Sequence, residues 1–391
     1  MNFAPTEEQQ SIRAAVEQLC AKFPDEYWLE KDRHGGFPHD FHKAFADAGW
    51  LGIAMPVAYG GAGLGIAEAA LIMETVAASG AAMAGASALH MNIFGLHPVV
   101  IHGTPEQQAR WLPPLIAGRE KACFAVTEPN TGLNTLALKT LAVRKGDRYV
   151  VNGQKIWTST AQVAHKMLLL ARTTPLEAVT QSTQAGKGLS LFYTDLDRSK
   201  VEVREIDKMG RKAVDSNQLF IDGLEIPVED RIGEEGRGFE YILHGLNSER
   251  VLVSAEAIGM GRSALQRAAR YAGERIVFDR PIGQNQGVQH PLAERWIELE
   301  AGALLYQKAA WLYDQGQPCA AEANAAKFFC AEAGYRACET AVLTHGGMGY
   351  AKEFHVERLL RESMILRLAP VSQQMTLNFI AQKVLGLPKS Y

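Results

Sequence analysis

The spacing of apolar residues changes twice along this chain, and that change constrains the fold more than any other feature. From Thr6 a capping pattern, with Gln9 three residues on, opens a helix whose positions Ile12, Ala15, Val16, Leu19 and Phe23 share one face. Ile66 to Ala78 and Ala81 to Phe94 carry the same period, and Thr104-Pro105-Glu106-Gln107 starts another helix with proline at its first position. Between roughly Lys121 and Ile232 the period shortens. Strands are expected at Leu136 to Val143, Arg148 to Val151, Met167 to Ala171, Leu189 to Tyr193, Val201 to Ile206 and Gln218 to Ile221. Turns are expected at Lys145-Gly146-Asp147, Asn152-Gly153 and Asp222-Gly223, and Gln181 to Gly188 is polar enough for a surface loop. From Gly236 long helical segments return, roughly 237 to 273, 287 to 315, 318 to 343 and 371 to 385, the pattern of an antiparallel four-helix bundle. This is an α+β order: an N-terminal helical domain over 1–120, a middle β domain over 121–235 and a C-terminal helical bundle over 236–391.

Composition narrows the function. A chain of 391 residues with 47% hydrophobic content buries cores for two or three domains. Its net charge of -3 comes from 40 basic and 43 acidic residues without long runs, which argues against nucleic acid or an anionic membrane and for small-molecule chemistry. The start, Met1-Asn2-Phe3-Ala4-Pro5-Thr6, has neither a basic nor an apolar run, and no later segment reads as apolar for long enough to span a bilayer. A cytoplasmic protein with no membrane insertion is therefore expected. Five scattered cysteines without metal-ligand spacing fit core thiols in a reducing compartment and no metal.

Two segments carry the chemistry: Phe124-Ala125-Val126-Thr127-Glu128-Pro129-Asn130-Thr131-Gly132 and Val151-Asn152-Gly153-Gln154-Lys155-Ile156-Trp157-Thr158-Ser159. Each strand-like run ends in hydroxyl, amide and glycine positions that let backbone and short side chains approach a planar polar heterocycle. Taken alone, Trp157 fits a core aromatic and Thr127 an ordinary strand residue. Together the segments resemble the acyl-CoA dehydrogenase family, and the resemblance spans nearly the whole chain. It implies FAD in the middle domain, with Phe124, Thr127 and Gly132 in the first segment's flavin site, Ser159 at the flavin N5 edge and Trp157 shielding that edge from water. Leu133 departs from the family's usual serine. Farther on, Glu274 to Gln286 resembles the segment that reaches a neighbouring subunit's flavin, with Arg275 as the pyrophosphate ligand and Phe278 and Gln286 beside it. His345-Gly346-Gly347-Met348-Gly349 resembles the family's glycine turn at the dinucleotide, which assigns Gly346 and Gly347 to the cofactor. These cross-subunit matches imply a homodimer or homotetramer.

The resemblance also implies a reaction: a carboxylate removes the α proton of an acyl-CoA thioester while the β hydrogen leaves as hydride, giving a 2-enoyl-CoA. Electrons would then pass to an electron-transferring flavoprotein. The commoner base position of the family falls on Pro370, which has no base. Glu249, in Ser248-Glu249-Arg250, matches the alternative base of the isovaleryl-CoA and long-chain relatives, and Arg250 a widespread family arginine at the substrate. Alone, Glu249 fits a solvated carboxylate, and Glu353 and Glu362 match neither base position, Glu362 fitting an ion pair between Arg361 and Arg367. Ala81 to His90 aligns with the helix lining the acyl pocket, where His90 lies near the closed end as a substrate contact or a structural histidine. No arginine lies between Arg33 and Arg110, which argues against a second carboxylate on the acyl group. The alternatives are a same-fold flavoenzyme with other chemistry (desulfinase, oxidase or monooxygenase) and a catalytically silent CoA-binding protein.

Overall fold

The computed structural model describes residues 4–93, 96–179 and 186–389. The chain opens with helices α1 (Glu7–Cys20), α2 (Asp25–His34), α3 (His39–Asp47), α4 (Ile66–Val76), α5 (Ala82–Ile93), α6 (His97–His102) and α7 (Pro105–Ile116). Both expected capping boxes form, Thr6 with Gln9 and Thr104 with Gln107, each satisfying two backbone donors that a helix start leaves free. A π-type turn, Ala77–Ala81, separates α4 from α5, and Gly80 supplies the positive φ of 92° that the break requires. Phe94, expected at the end of α5, lies outside the described residues. One expectation is corrected: Ile66–His102 holds an 18-residue window of mean hydropathy 1.4, long and apolar enough to cross a bilayer, but 83% of that window is buried inside the protein. Its described helices α4 and α5 pack into the core shared with the bundle.

The middle part is one eight-stranded sheet of β1 (Ala122–Ala125), β2 (Leu141–Lys145), β3 (Arg148–Ser159), β4 (Lys166–Arg172), β5 (Leu189–Asp195), β6 (Val201–Glu205), β7 (Ser216–Pro227) and β8 (Arg231–Ile232). The order is β6-β7-β3-β2-β4-β5-β8, with β1 parallel to β4. Leu136 to Leu138 is not strand as expected. Arg172 takes the carbonyls of Leu136 and Leu138, and Glu128 takes the N–H groups of Lys139 and Thr140, so side chains satisfy this backbone instead of a ladder. Asn152-Gly153 and Asp222-Gly223 do not turn the chain either. They face each other inside β3 and β7, where the register shifts between Val151 and Gly153 and Asn152 Oδ1 accepts from Gly223 N–H at 2.9 Å. A Cβ on Gly153 would lie 2.4 Å from Thr140 Oγ1, so the close approach of two strands, not a hairpin, needs this glycine. Lys145-Gly146-Asp147 does turn, pairing Lys145 with Arg148. Residues 181–185 of the expected surface loop lie outside the described residues.

The remainder is helical: α8 (Gly238–Glu274), the hairpin β9 (Ile276–Val277) and β10 (Arg280–Pro281), then α9 (Gln286–Asp314), α10 (Ala320–His345), α11 (Val356–Leu368) and α12 (Gln373–Phe379). Helix α11 is absent from the four segments read from periodicity, because its inner face carries Arg358 and Glu362 beside Val356, Leu359 and Leu366. A buried ion pair breaks the apolar stripe that marks a helix. Helix α8 packs tightly on α4, since a Cβ on Gly259 would meet Glu74 O at 2.1 Å. One core joins α1 to α5 with the bundle, and two more lie on the sheet's opposite faces. All five cysteines are buried and unpaired.

Candidate active site

The two motif segments lie side by side. Ile156 N–H donates to Thr127 O at 2.9 Å, and Lys155 reaches back to Val126 O and to the Glu128 carboxylate at 2.9 and 3.0 Å. Lys155 is fully buried, and burial lowers its pKa to about 8 despite Glu128. Burial pushes Glu128 up, but the Lys155 charge and the N–H groups of Lys139 and Thr140 outweigh it and hold the carboxyl below its ordinary value. Sequence reading missed this pair, although an acid in one segment and a lysine in the other were its signal.

A second register shift, between Lys155 and Thr158, turns Trp157 outward with φ 60° and its side chain 57% exposed. A core role for Trp157 is therefore excluded. Thr127 and Phe124 are partly buried, and Gly132 and Leu133 exposed. Among the described residues, the hydroxyls of Thr131, Thr158 and Thr160 are buried without a hydrogen-bond partner, and a Cβ on Gly132 would touch nothing within 4 Å. Unpaired hydroxyls beside an outward aromatic ring and an open glycine suit a polar, planar ligand.

Ser159 Oγ accepts from Arg211 Nη2 at 3.0 Å. Arg211, in the loop before β7, has a positive φ of 60° and also donates to Ser87 of α5 and Ser216. The arginine-free stretch from Arg33 to Arg110 thus does not keep a guanidinium from α5; one arrives from the middle domain. No motif in the sequence announced it.

Glu249 sits on α8, partly accessible yet enclosed enough that burial raises its pKa to about 7, against the lowering effects of His90, Arg250 and Lys327. Among the described residues it makes no hydrogen bond or ion pair. Arg250 Nη1 instead donates to Asn247. His90 Nδ1 lies 2.7 Å from Glu256 Oε1, in a pair with side chains 12% and 1% exposed. The rival carboxylates are placed differently. Glu362 is buried, accepts from Ala84 N–H at 2.9 Å and pairs with Arg358 at 3.5 Å, not with the expected Arg361 or Arg367, which bind Asp32 and Glu357, and Glu332. Glu353 is exposed in the turn Lys352–Phe354. Pro370 follows α11 and offers no base.

Arg275, Phe278, Gln286, Gly346 and Gly347 form a separate exposed set. Phe278, 93% exposed, tops the β9–β10 hairpin with Asp279, both at positive φ. His345, before the glycine turn, stacks on Tyr271 near the end of α8 with ring centroids 4.3 Å apart. The 25 residues of α8 from Glu249 to Glu274 put about 37 Å between this set and Glu249, at 1.5 Å per residue.

Family models match the three parts in turn: acyl-CoA dehydrogenase, N-terminal domain over residues 6–119, middle domain over 123–224 and C-terminal domain over 236–385. The chain belongs to the acyl-CoA dehydrogenase family. It is an oxidoreductase whose cofactor is FAD. Acyl-CoA dehydrogenase FadE12 of Mycobacterium tuberculosis (strain ATCC 25618 / H37Rv) is 37% identical over 396 residues, covering 100% of this chain and 99% of its own. Cyclohex-1-ene-1-carbonyl-CoA dehydrogenase of Syntrophus aciditrophicus (strain SB) is 33% identical, covering 95% of this chain and 88% of its own. The structure of butyryl-CoA dehydrogenase from Megasphaera elsdenii superposes with a TM-score of 0.92 at 26% identity, covering 98% of this chain and 100% of that one.

Proposed function

We propose that this protein removes hydrogen from the α and β carbons of an acyl-CoA thioester to give a 2-enoyl-CoA, with Glu249 as the base. One observation carries the assignment. Of the carboxylates considered, Glu249 alone is partly accessible, enclosed and free of a hydrogen bond or ion pair among the described residues, whereas Glu256 and Glu362 are committed to His90 and Arg358. A carboxylate raised to about 7 is half ionised near neutrality and holds a proton well once it has taken one. In this reading Glu249 takes the α proton, the β carbon loses its hydrogen with the bonding pair, and the α–β double bond forms. FAD supplies the hydride acceptor when bound. Thr127, Gly132 and Ser159 hold its ring, Trp157 keeps water from the reacting edge, and Arg250 lines the substrate side.

The separation between Glu249 and the exposed Arg275, Phe278, Gln286, Gly346 and Gly347 supports assigning those residues to the cofactor of a second copy in a homodimer or homotetramer. An electron-transferring flavoprotein is the proposed acceptor and the cytoplasm the proposed compartment, in keeping with five unpaired thiols. Anaerobic mixing of the FAD-loaded protein with short, branched, long and aromatic acyl-CoAs tests the proposal. Bleaching of the flavin with release of enoyl-CoA is expected, and Glu249→Gln should keep FAD and abolish bleaching. A wild type that no acyl-CoA bleaches would turn the assignment toward other flavin chemistry on this fold.

A further inference from the structure

Helix α5 buries mostly apolar residues; its polar members Ser87 and Asn92 are buried, Asn92 against His42 and Leu115 O, and His90, one turn beyond Ser87, is partly buried. Ser87 receives Arg211. His90 faces α8, where Glu249 and Glu256 stand seven residues apart, two turns along one face. Its Nδ1 lies 2.7 Å from Glu256 Oε1, while Glu256 Oε2 has no hydrogen-bond partner among the described residues and the carboxylate is 1% exposed. An unpaired carboxylate at this depth is costly, and a histidine against it has a fixed orientation and a reason to keep its proton. Burial pushes the His90 imidazole down, but Glu256 and Glu249 outweigh it and hold it above its ordinary value, with Arg211 opposing.

The charges around Glu249 come from three helices. On α8 itself, Arg250 is turned to Asn247 and Glu256 repels; from α10, Lys327 is lowered to about 8 by burial and donates to Leu366 O at 2.9 Å; from α5 comes His90. Among these, His90 opposes the burial of Glu249 most strongly. We propose that His90, anchored by Glu256, is a positioning residue that holds a positive charge against Glu249 and keeps this base ionised inside the pocket. The inference rests on Glu249 as the base. It gives Glu256 a task that packing does not explain, because a buried acid is otherwise a loss.

The test is the pH profile of anaerobic flavin bleaching by the best acyl-CoA, at saturation, for wild type, His90→Gln, His90→Lys and Glu256→Gln holoenzymes. Loss of the imidazolium should move the acid limb of His90→Gln upward by about one pH unit, a tenfold loss on the acid side with recovery at high pH and unchanged FAD content. Glu256→Gln removes a repelling carboxylate along with the ring's anchor and proton, so its limb should move less than that of His90→Gln, and His90→Lys should restore the wild-type limb. A His90→Gln profile lowered equally at every pH reduces His90 to packing and overturns the proposal. Should that variant fail to fold, nitrogen-15 histidine spectra of the wild type decide: His90 protonated at neutral pH supports the proposal, and a neutral ring there ends it. Bleaching that survives Glu249→Gln would instead overturn the assignment of the base.

Discussion

Replacing Glu249 with glutamine should stabilise the folded protein above neutral pH while silencing it. Burial moves this carboxyl from 4.5 to about 7, and at about 1.4 kcal/mol per pH unit the displacement amounts to ~3 kcal/mol. Part of the group remains accessible, so screening reduces this to ~2 kcal/mol. The sign follows from the proton. Below 4.5 both folded and unfolded chains hold it; between 4.5 and about 7 only the unfolded chain releases it, so wild-type stability falls as pH rises through that window. Above it the whole penalty is in place, and glutamine, which never ionises, escapes it. With an unfolding entropy of about 2.1 cal/mol/K per residue over 391 residues, ~2 kcal/mol corresponds to roughly 2–3 °C. Thermal unfolding at one scan rate, for wild type and Glu249→Gln at about pH 5 and about pH 8.5, reads the effect. Glutamine should melt higher at the alkaline pH and lose most of that advantage at the acid one. Parallel melting curves at both pH values would refute the claim that the site withholds water from this carboxylate.

Four further substitutions probe the frame around the site and the core behind it. Lys155→Met leaves Glu128 buried without its cation and should destabilise the protein by ~3–5 kcal/mol, read as a lower melting temperature and release of FAD on gel filtration. Gly153→Ala places a methyl 2.7 Å from Thr140 Cα and should cost ~1–3 kcal/mol by strand displacement, read by thermal unfolding. Trp157→Ala should leave the unfolding free energy of the FAD-free protein within ~0.5 kcal/mol of wild type, because the ring lies outside the core, yet weaken FAD retention; Trp111→Ala, fully buried, should cost ~3–5 kcal/mol, both read by thermal unfolding.

The helical caps, the period-two middle segment and the long C-terminal helices were legible because local rules and tertiary packing agree there. The sequence failed where a side chain replaced the backbone's usual partner. Leu136 to Leu138 reads as strand until Arg172 and Glu128 claim its polar groups, and α11 loses its stripe to the Arg358–Glu362 pair. Asn152-Gly153 and Asp222-Gly223 carry hairpin chemistry, but both lie inside paired strands, and whether such a pair turns the chain or shifts a register depends on the strand opposite. For the site, Glu249 and the motif serine and tryptophan were visible as residues. Arg211 was not, because a guanidinium delivered across 124 positions to Ser87 leaves no periodic or motif trace.

Because Glu128 and Lys155 tie the two motif segments together from beneath, the chain has divided labour between a fixed girder and a replaceable lining. Trp157 stands exposed beyond that girder with Thr127 and Ser159 half-buried beside it, and in the proposed reading these three can be exchanged to retune what they hold. A laboratory seeking altered cofactor or substrate preference would do well to diversify the lining and leave the girder unmutated, since libraries that disturb it will be filled with unfolded members before any chemistry is sampled.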